Sequence, residues 1–402
     1  MRRRGTLVLF VWAAGCVWLG CNALLGNESA VFDPDGGGVM TTESGANEGG
    51  GSETGPGVDG SPDGAPHDAA TDVVVHPCTD TTVDRFNCGA CGHDCLGGGC
   101  VDSRCQPVVI AMDPGGPVGL AVDATHVYWT TSFDSDVRRA PIDGGAAETI
   151  YDGPTGTNLG EGLVRSGTDV YFTIGDDDGG IYRCPVTGCG GPGPQPVVAP
   201  LAAPQFVGLA DGGVLLFSEL AFDGRVGRCT LPCTSGVTFL AAGEGFPGFV
   251  ASDGDALFWS TIVPSGGNLR AKEDAGGVPT TLVVGQSVRQ VEVRGAEVLF
   301  ANGAGLRAVA RDGGAVRKIF EPPGTPIERF AIEGNVVYFN DQLSVGSIQR
   351  CAVAGCADGG SVVLAASQLY PHAVVLDEKS VYWTNSGDPF NGAGGAIVRV
   401  AK

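Results

Sequence analysis

The sequence predicts an all-β protein built around a seven-bladed β-propeller, and three observations carry that expectation. An aromatic or apolar pair recurs seven times at intervals of 39 to 45 residues: Tyr128-Trp129, Tyr171-Phe172, Leu216-Phe217, Phe258-Trp259, Leu299-Phe300, Tyr338-Phe339 and Tyr382-Trp383. Each pair lies in a short alternating run between Gly- and Asp-rich turns, which is the mark of strands. A unit of about 40 residues with four such runs is the length of one propeller blade. No segment sustains a 3.6-residue apolar period, so helices are expected to be nearly absent.

In the first unit the four runs are VGLAVD, HVYWTT, DVRRAPI and AETIYD, with turns at Asp123-Ala124-Thr125 and Asp143-Gly144-Gly145. The string VGLAVDATHVYWT resembles the YWTD repeats of the low-density-lipoprotein receptor propellers, and the likeness extends over 106–402. The resemblance implies the same fold and says little about function. The seventh unit reaches only its third strand, AIVRVAK, while Pro107 to Ala111 forms an unassigned run ahead of the first unit. Pairing these two closes the ring and removes two exposed sheet edges.

An arginine follows each pair at the third strand: Arg139, Arg183, Arg228, Arg270, Arg307, Arg350 and Arg399. Its expected role is structural, as a bridge between blades. One residue after three of these arginines stand the cysteine pairs Cys184 with Cys189, Cys229 with Cys233 and Cys351 with Cys356. Residues flanking so short a hairpin loop face each other within disulfide range, so staples are expected there.

Ahead of the propeller, six cysteines crowd one short stretch: Cys78, Cys88, Cys91, Cys95, Cys100 and Cys105. The core string NCGACGHDCLGGGC resembles the stigma-specific cysteine-rich family. A segment of 78–105 cannot build a hydrophobic core, and cross-links replace one. Zinc is the competing reading, since Cys88 and Cys91 have ligand spacing with His93 and Cys95 close by. The pairing itself is open, because six cysteines allow 15 connectivities.

Residues 22–77 hold no Lys, Arg or Cys and ten acidic residues among Gly, Ser, Thr and Pro. Such a chain buries too little apolar surface to offset its entropy and is expected to be a disordered tether. Before it, Arg2-Arg3-Arg4 and the apolar run from Leu7 to Leu19 make an export signal, too short to span a bilayer. The run ends at Trp18-Leu19-Gly20-Cys21, which resembles a bacterial lipobox and marks Cys21 as the lipidated residue. Cys16, after Ala13-Ala14-Gly15, is a second candidate with a shorter apolar run. The expected domains are therefore 1–20 signal, 22–77 linker, 78–105 cysteine-rich module and 106–402 propeller. The expected location is the outer membrane or cell surface, with membrane contact by the lipid alone.

Charge and motifs narrow the function. A formal net charge of −21 excludes nucleic acid as a partner, because phosphates would be repelled. Charged residues are 17% of the chain, against the usual ~25%. No GxSxG, HExxH or P-loop is present. His126 falls in a first-to-second strand turn, whereas His372 falls beside the channel mouth and is the better metal candidate. Asp176, Asp177 and Asp178 form an acidic turn of the type that supplies Ca²⁺ ligands; no cofactor is otherwise expected. The long loops, among them TSFDSD, ELAFDG and SGDPFNGAGGA, all emerge on one face of the ring, and loops on a rigid scaffold carry function. The expected activity is recognition of an envelope or extracellular protein, peptide or glycan by a monomer. The alternative is an axis-centred metal-dependent hydrolase, lactonase or lyase.

Overall fold

The computed structural model describes residues 76–176, 178–262, 266–322, 326–356 and 360–402. The export signal, Cys16, Cys21 and nearly all of the acidic tether lie outside the described residues, as does Asp177.

Seven four-stranded antiparallel sheets follow one another along the chain, each running in sequence order from its inner to its outer strand. The inner strands are Pro117–Val122, Leu159–Ser166, Val207–Ala210, Pro247–Ser252, Val288–Arg294, Phe330–Glu333 and Pro371–Leu376, for blades 1 to 7. Blade 7 is composite. Its outermost strand is Val108–Met112, paired antiparallel to the C-terminal strand Ala396–Ala401 with Val109 opposite Val398. The first and last strands of the domain thus close the ring, as the orphan run before the first unit requires. Among the described residues the one helical turn is Asp211–Gly213.

In five of the seven blades the residue that follows the aromatic pair bonds to the next blade; in blade 4 the equivalent Ser260 accepts from the Phe249 amide of its own inner strand. Thr130 donates to the Gly160 carbonyl of blade 2 at 3.3 Å, Thr173 to Gln205 of blade 3 at 3.3 Å, and Ser218 to Gly248 of blade 4 at 2.5 Å. The Asn340 amide donates to Pro371 and His372 of blade 7, both at 2.6 Å, and Thr384 to Val118 of blade 1 at 3.3 Å. Blade 5 has Ala301 at this position and cannot make the bond. There Gln290, on the inner strand, exchanges two bonds with the Phe330 backbone of blade 6 instead. Inner strands lie edge-on to the axis, and these bonds satisfy polar backbone that no further strand would reach.

Tryptophan occurs in the pair only where the preceding blade supplies an acceptor. Trp129, Trp259 and Trp383 are fully buried, and their indole N–H groups donate to Asp113 (2.5 Å), Glu244 (3.2 Å) and Gln368 (3.0 Å). Each acceptor ends the outer strand of the blade before. At the other junctions the pair ends in Phe172, Phe217, Phe300 or Phe339, which need no partner. A buried indole without one would carry a desolvation penalty of ~1–3 kcal/mol.

Six of the seven repeat arginines divide between two roles, while Arg350 lies against Tyr338 of its own blade. Arg228 and Arg399 reach forward to Asp274 and Asp143 in the next blade, and Arg270 reaches back to Glu244. Arg139, Arg183 and Arg307 instead pair within their own repeats, with Glu148, Asp169 and Glu321. Bridging therefore depends on where an acid happens to stand, not on the arginine alone.

Disulfides Cys184–Cys189, Cys229–Cys233 and Cys351–Cys356 close third-to-fourth strand hairpins, with Cα separations of 4.7 to 5.2 Å. The cysteine-rich module is laced by Cys78–Cys91, Cys88–Cys100 and Cys95–Cys105 around a two-stranded hairpin. It is not a free bead. Four of its cysteines, Cys88, Cys95, Cys100 and Cys105, share one apolar cluster with Trp383, Val398 and Val400 of blade 7, and Arg399 donates to the Leu96 carbonyl at 2.6 Å.

Candidate functional site

Three places on the propeller concentrate chemistry: the loop-face mouth of the central channel, the channel below it, and the loop face itself. The mouth is built by one register position of the inner strand, two residues before the one paired with the second aromatic of the motif. Blades 2, 5, 6 and 7 place Glu161, Arg289, Glu328 and His372 there. Arg329, one residue further on blade 6, crosses the axis. Its guanidinium pairs with Glu161 on the far side of the ring and stacks 4.3 Å from the Phe249 ring centre on blade 4. His372 Nε2 lies 3.6 Å from Glu161, and Arg289 lies 3.9 Å from Glu328.

These groups form a cross-brace over the mouth. Burial alone would raise the Glu161 pKa, but Arg329 and then His372 outweigh it and hold the carboxyl below its ordinary value. Burial pushes the other way on His372 and lowers its pKa, so the ring is neutral at physiological pH. A glutamate and a histidine at the axis are two of the ligands a metal-dependent propeller enzyme would need. Here the guanidinium occupies the carboxylate, and a cation already in contact with it opposes a dication.

Below the brace the channel holds a cavity of about 400 Å³. Phe206, Phe249, Phe330, Val250, Ile332 and Leu376 are among its walls, with Gln290 and Glu292 on blade 5. Glu292 is the sole ionisable residue in that lining, and its pKa is pushed up to about 7 by burial, only partly opposed by the Gln290 amide.

The loop face is apolar at its rim. Phe133, Phe222, Leu343, Val345 and Phe390 stand on second-to-third strand loops, and Val284 on the linker between blades 4 and 5. Phe222 and Phe390 are 74% and 79% exposed. On the hairpin turns of the opposite face, Val278 is the one exposed large apolar residue among those described. Phe222 stands edge-on to Phe246, 6.2 Å between ring centres, so part of this rim is an aromatic pair.

Of the residues singled out from sequence, His372 reaches the axis, and its partners Glu161 and Arg329 were not foreseen. The signal existed: the residue eleven before the second aromatic of the motif marks this register in six blades, and twelve before it in blade 3. His126 opens the second strand of blade 1 rather than lying in the turn before it, its Nδ1 2.9 Å from the Thr125 hydroxyl. The Asp176 carbonyl accepts from Gly179 and from Ala203 on the linker to blade 3. The sulfurs of Cys88, Cys95 and Cys105 lie within 4.8 Å of one another. All three are in disulfides, which leaves no thiolate for zinc.

The fold defines the protein as a disulfide-stapled, seven-bladed β-propeller. No protein-family model and no curated protein matches the chain. Among solved structures it is similar to the WD40 propeller domain of Doa1, with a TM-score of 0.57 and 13% identity over 74% of this chain and 97% of that one. It is also similar to a puromycin-hydrolyzing peptidase of Mycobacterium tuberculosis, with a TM-score of 0.53 and 13% identity over 74% of this chain and 54% of that one. A nidogen/laminin complex overlies 48% of this chain and 75% of its own, at 20% identity and a TM-score of 0.40. At these identities the first two likenesses show the fold alone. Six disulfides point to folding in an oxidising compartment. No helix among the described residues is long and apolar enough to cross a membrane.

Proposed function

We propose that this protein is an exported, lipid-anchored recognition module that binds an extracellular or envelope protein through the loop face of its propeller. The observation that carries this reading is the gathering of six exposed apolar side chains on that one face. Large exposed aromatics cost solubility and are kept where a partner covers them. The aliphatic members Val284, Leu343 and Val345 favour a protein surface over a glycan, whose recognition rests on aromatic stacking and polar groups. Lipidation at Cys21 would fix the module to the membrane, and the tether 22–77 would let it reach roughly 40–45 Å outward.

The test is covalent cross-linking of the tagged full-length protein in living cells, followed by mass spectrometry. One dominant partner is expected, lost on F222D/F390D and retained on V278D, a charge placed on the opposite face. Equal capture by both variants would overturn the reading. The second reading, an axis-centred metal-dependent hydrolase, lactonase or lyase, draws on the 3.6 Å approach of His372 to Glu161. Arg329 weighs against it. Tight, stoichiometric binding of Mg²⁺ or Mn²⁺ that E161Q abolishes would favour that reading.

A further inference from the structure

The channel cavity has a polar group that the architecture does not account for. At the register position of Glu292, the other six blades place Ala121, Val164, Gly208, Ala251, Ala331 and Val375. Those small apolar residues are what a close approach of seven inner strands calls for. Among the described residues Glu292 takes part in no inter-blade bond; Gln290 makes that link, and its amide also donates to Glu292 Oε1 at 3.2 Å. No other protein hydrogen bond to the Glu292 carboxylate is made among the described residues. A carboxylate set in an apolar wall raises the free energy of the empty protein unless something pairs with it.

We infer that the cavity is a binding site for a small amphipathic amine, with Glu292 as counter-ion to the ammonium and Phe206, Phe249 and Phe330 holding the apolar body. A volume of about 400 Å³ sits at the small end of the ~300–1,000 Å³ usual for such sites. The cation follows from the lining: one acid, no base and no second acid. Arg329 lies over Phe249 of the cavity wall, but its guanidinium is committed to Glu161 in the brace above. Arg289, Glu328 and His372, the other charged or titratable groups of the mouth, belong to that same brace and not to the cavity wall. Aromatic rings add a further attraction for an ammonium. The brace stands between the cavity and the loop face. The site is thus separate from the recognition face and does not depend on it.

Calorimetric titration of the full-length protein at about pH 8 tests this, with hexylamine, cyclohexylmethylamine and 2-phenylethylamine as probes and the alcohol of each as neutral control. At least one amine is expected to bind one-to-one, and roughly ten-fold or more tighter than its alcohol, the worth of a charge-assisted bond. E292Q, which keeps the shape of the side chain, should remove that preference while leaving alcohol binding unchanged. Lowering the pH toward about 6 should weaken amine binding to the unmodified protein, since a proton then competes at Glu292. The inference is overturned if no amine binds saturably, if amine and alcohol bind alike, or if E292Q keeps the preference. None of these results bears on capture of a partner at the loop face, so the two proposals fail separately.

Discussion

The two ends of the central channel solve one problem in opposite ways. At the loop-face mouth, two arginines and two glutamates from three blades cancel one another beside His372, and Arg329 spans the ring to Glu161. In the lower half, apolar walls surround a single carboxyl that only one amide approaches. The first arrangement is complete without a ligand and serves the fold. The second is incomplete and carries a stability cost, which is how a binding site differs from a structural network of similar residue types.

The largest expected effect lies at the brace. R329M removes the cation and leaves Glu161 buried without it, which should destabilise the propeller by about 3–5 kcal/mol. Denaturant unfolding of R329M, E161Q and the double variant would show strong non-additivity; additive losses would mean that the two residues do not act as a pair.

Next comes the opposite pH behaviour of the two ends. Glu292 has a folded pKa raised from 4.5 to about 7, so its ionisation destabilises the native state as pH rises through that window. E292Q should accordingly be more stable than the parent above pH 7, by about 1–3 kcal/mol after allowing for water in the channel, and should show no gain below the ordinary carboxylate range. His372 works the other way. Its folded pKa lies below the ordinary 6.5, so the stability that it contributes is present above 6.5 and lost as pH falls toward the folded value. An H372N variant should flatten that acid limb, and thermal unfolding across the pH range would read both signs at once. A smaller effect is expected at the blade junctions: W129F loses one indole bond to Asp113, which Arg138 and the Gly115 amide still satisfy. The loss should be about 1 kcal/mol.

Most of the fold was legible because each blade repeats its constraints. The aromatic pair gives the second strand, the Asp-Gly-Gly or Cys-bounded turns give the hairpins, and the orphan run before the first unit gives the closure. The hydroxyl after the pair was visible too, yet its partners are carbonyls of the next blade, which no local pattern reveals. The channel was harder to read. Glu161 and Arg329 are far apart in sequence, and single acids in a chain with 45 of them carry no signal until the register is known. Glu292 becomes informative only beside its six apolar counterparts. The docking of the cysteine-rich module on blade 7 was hidden for the same reason, since Leu96 and Arg399 meet only once the ring has closed.

The account turns most on the loop face being the side that meets a partner. Photo-reactive residues introduced singly at positions 133, 222 and 390, with position 278 on the other face as the contrast, would test it in living cells. Cross-links to one shared protein from the first three positions and none from the fourth are the expected result. Cross-links from position 278 alone, or to unrelated proteins from every position, would contradict it.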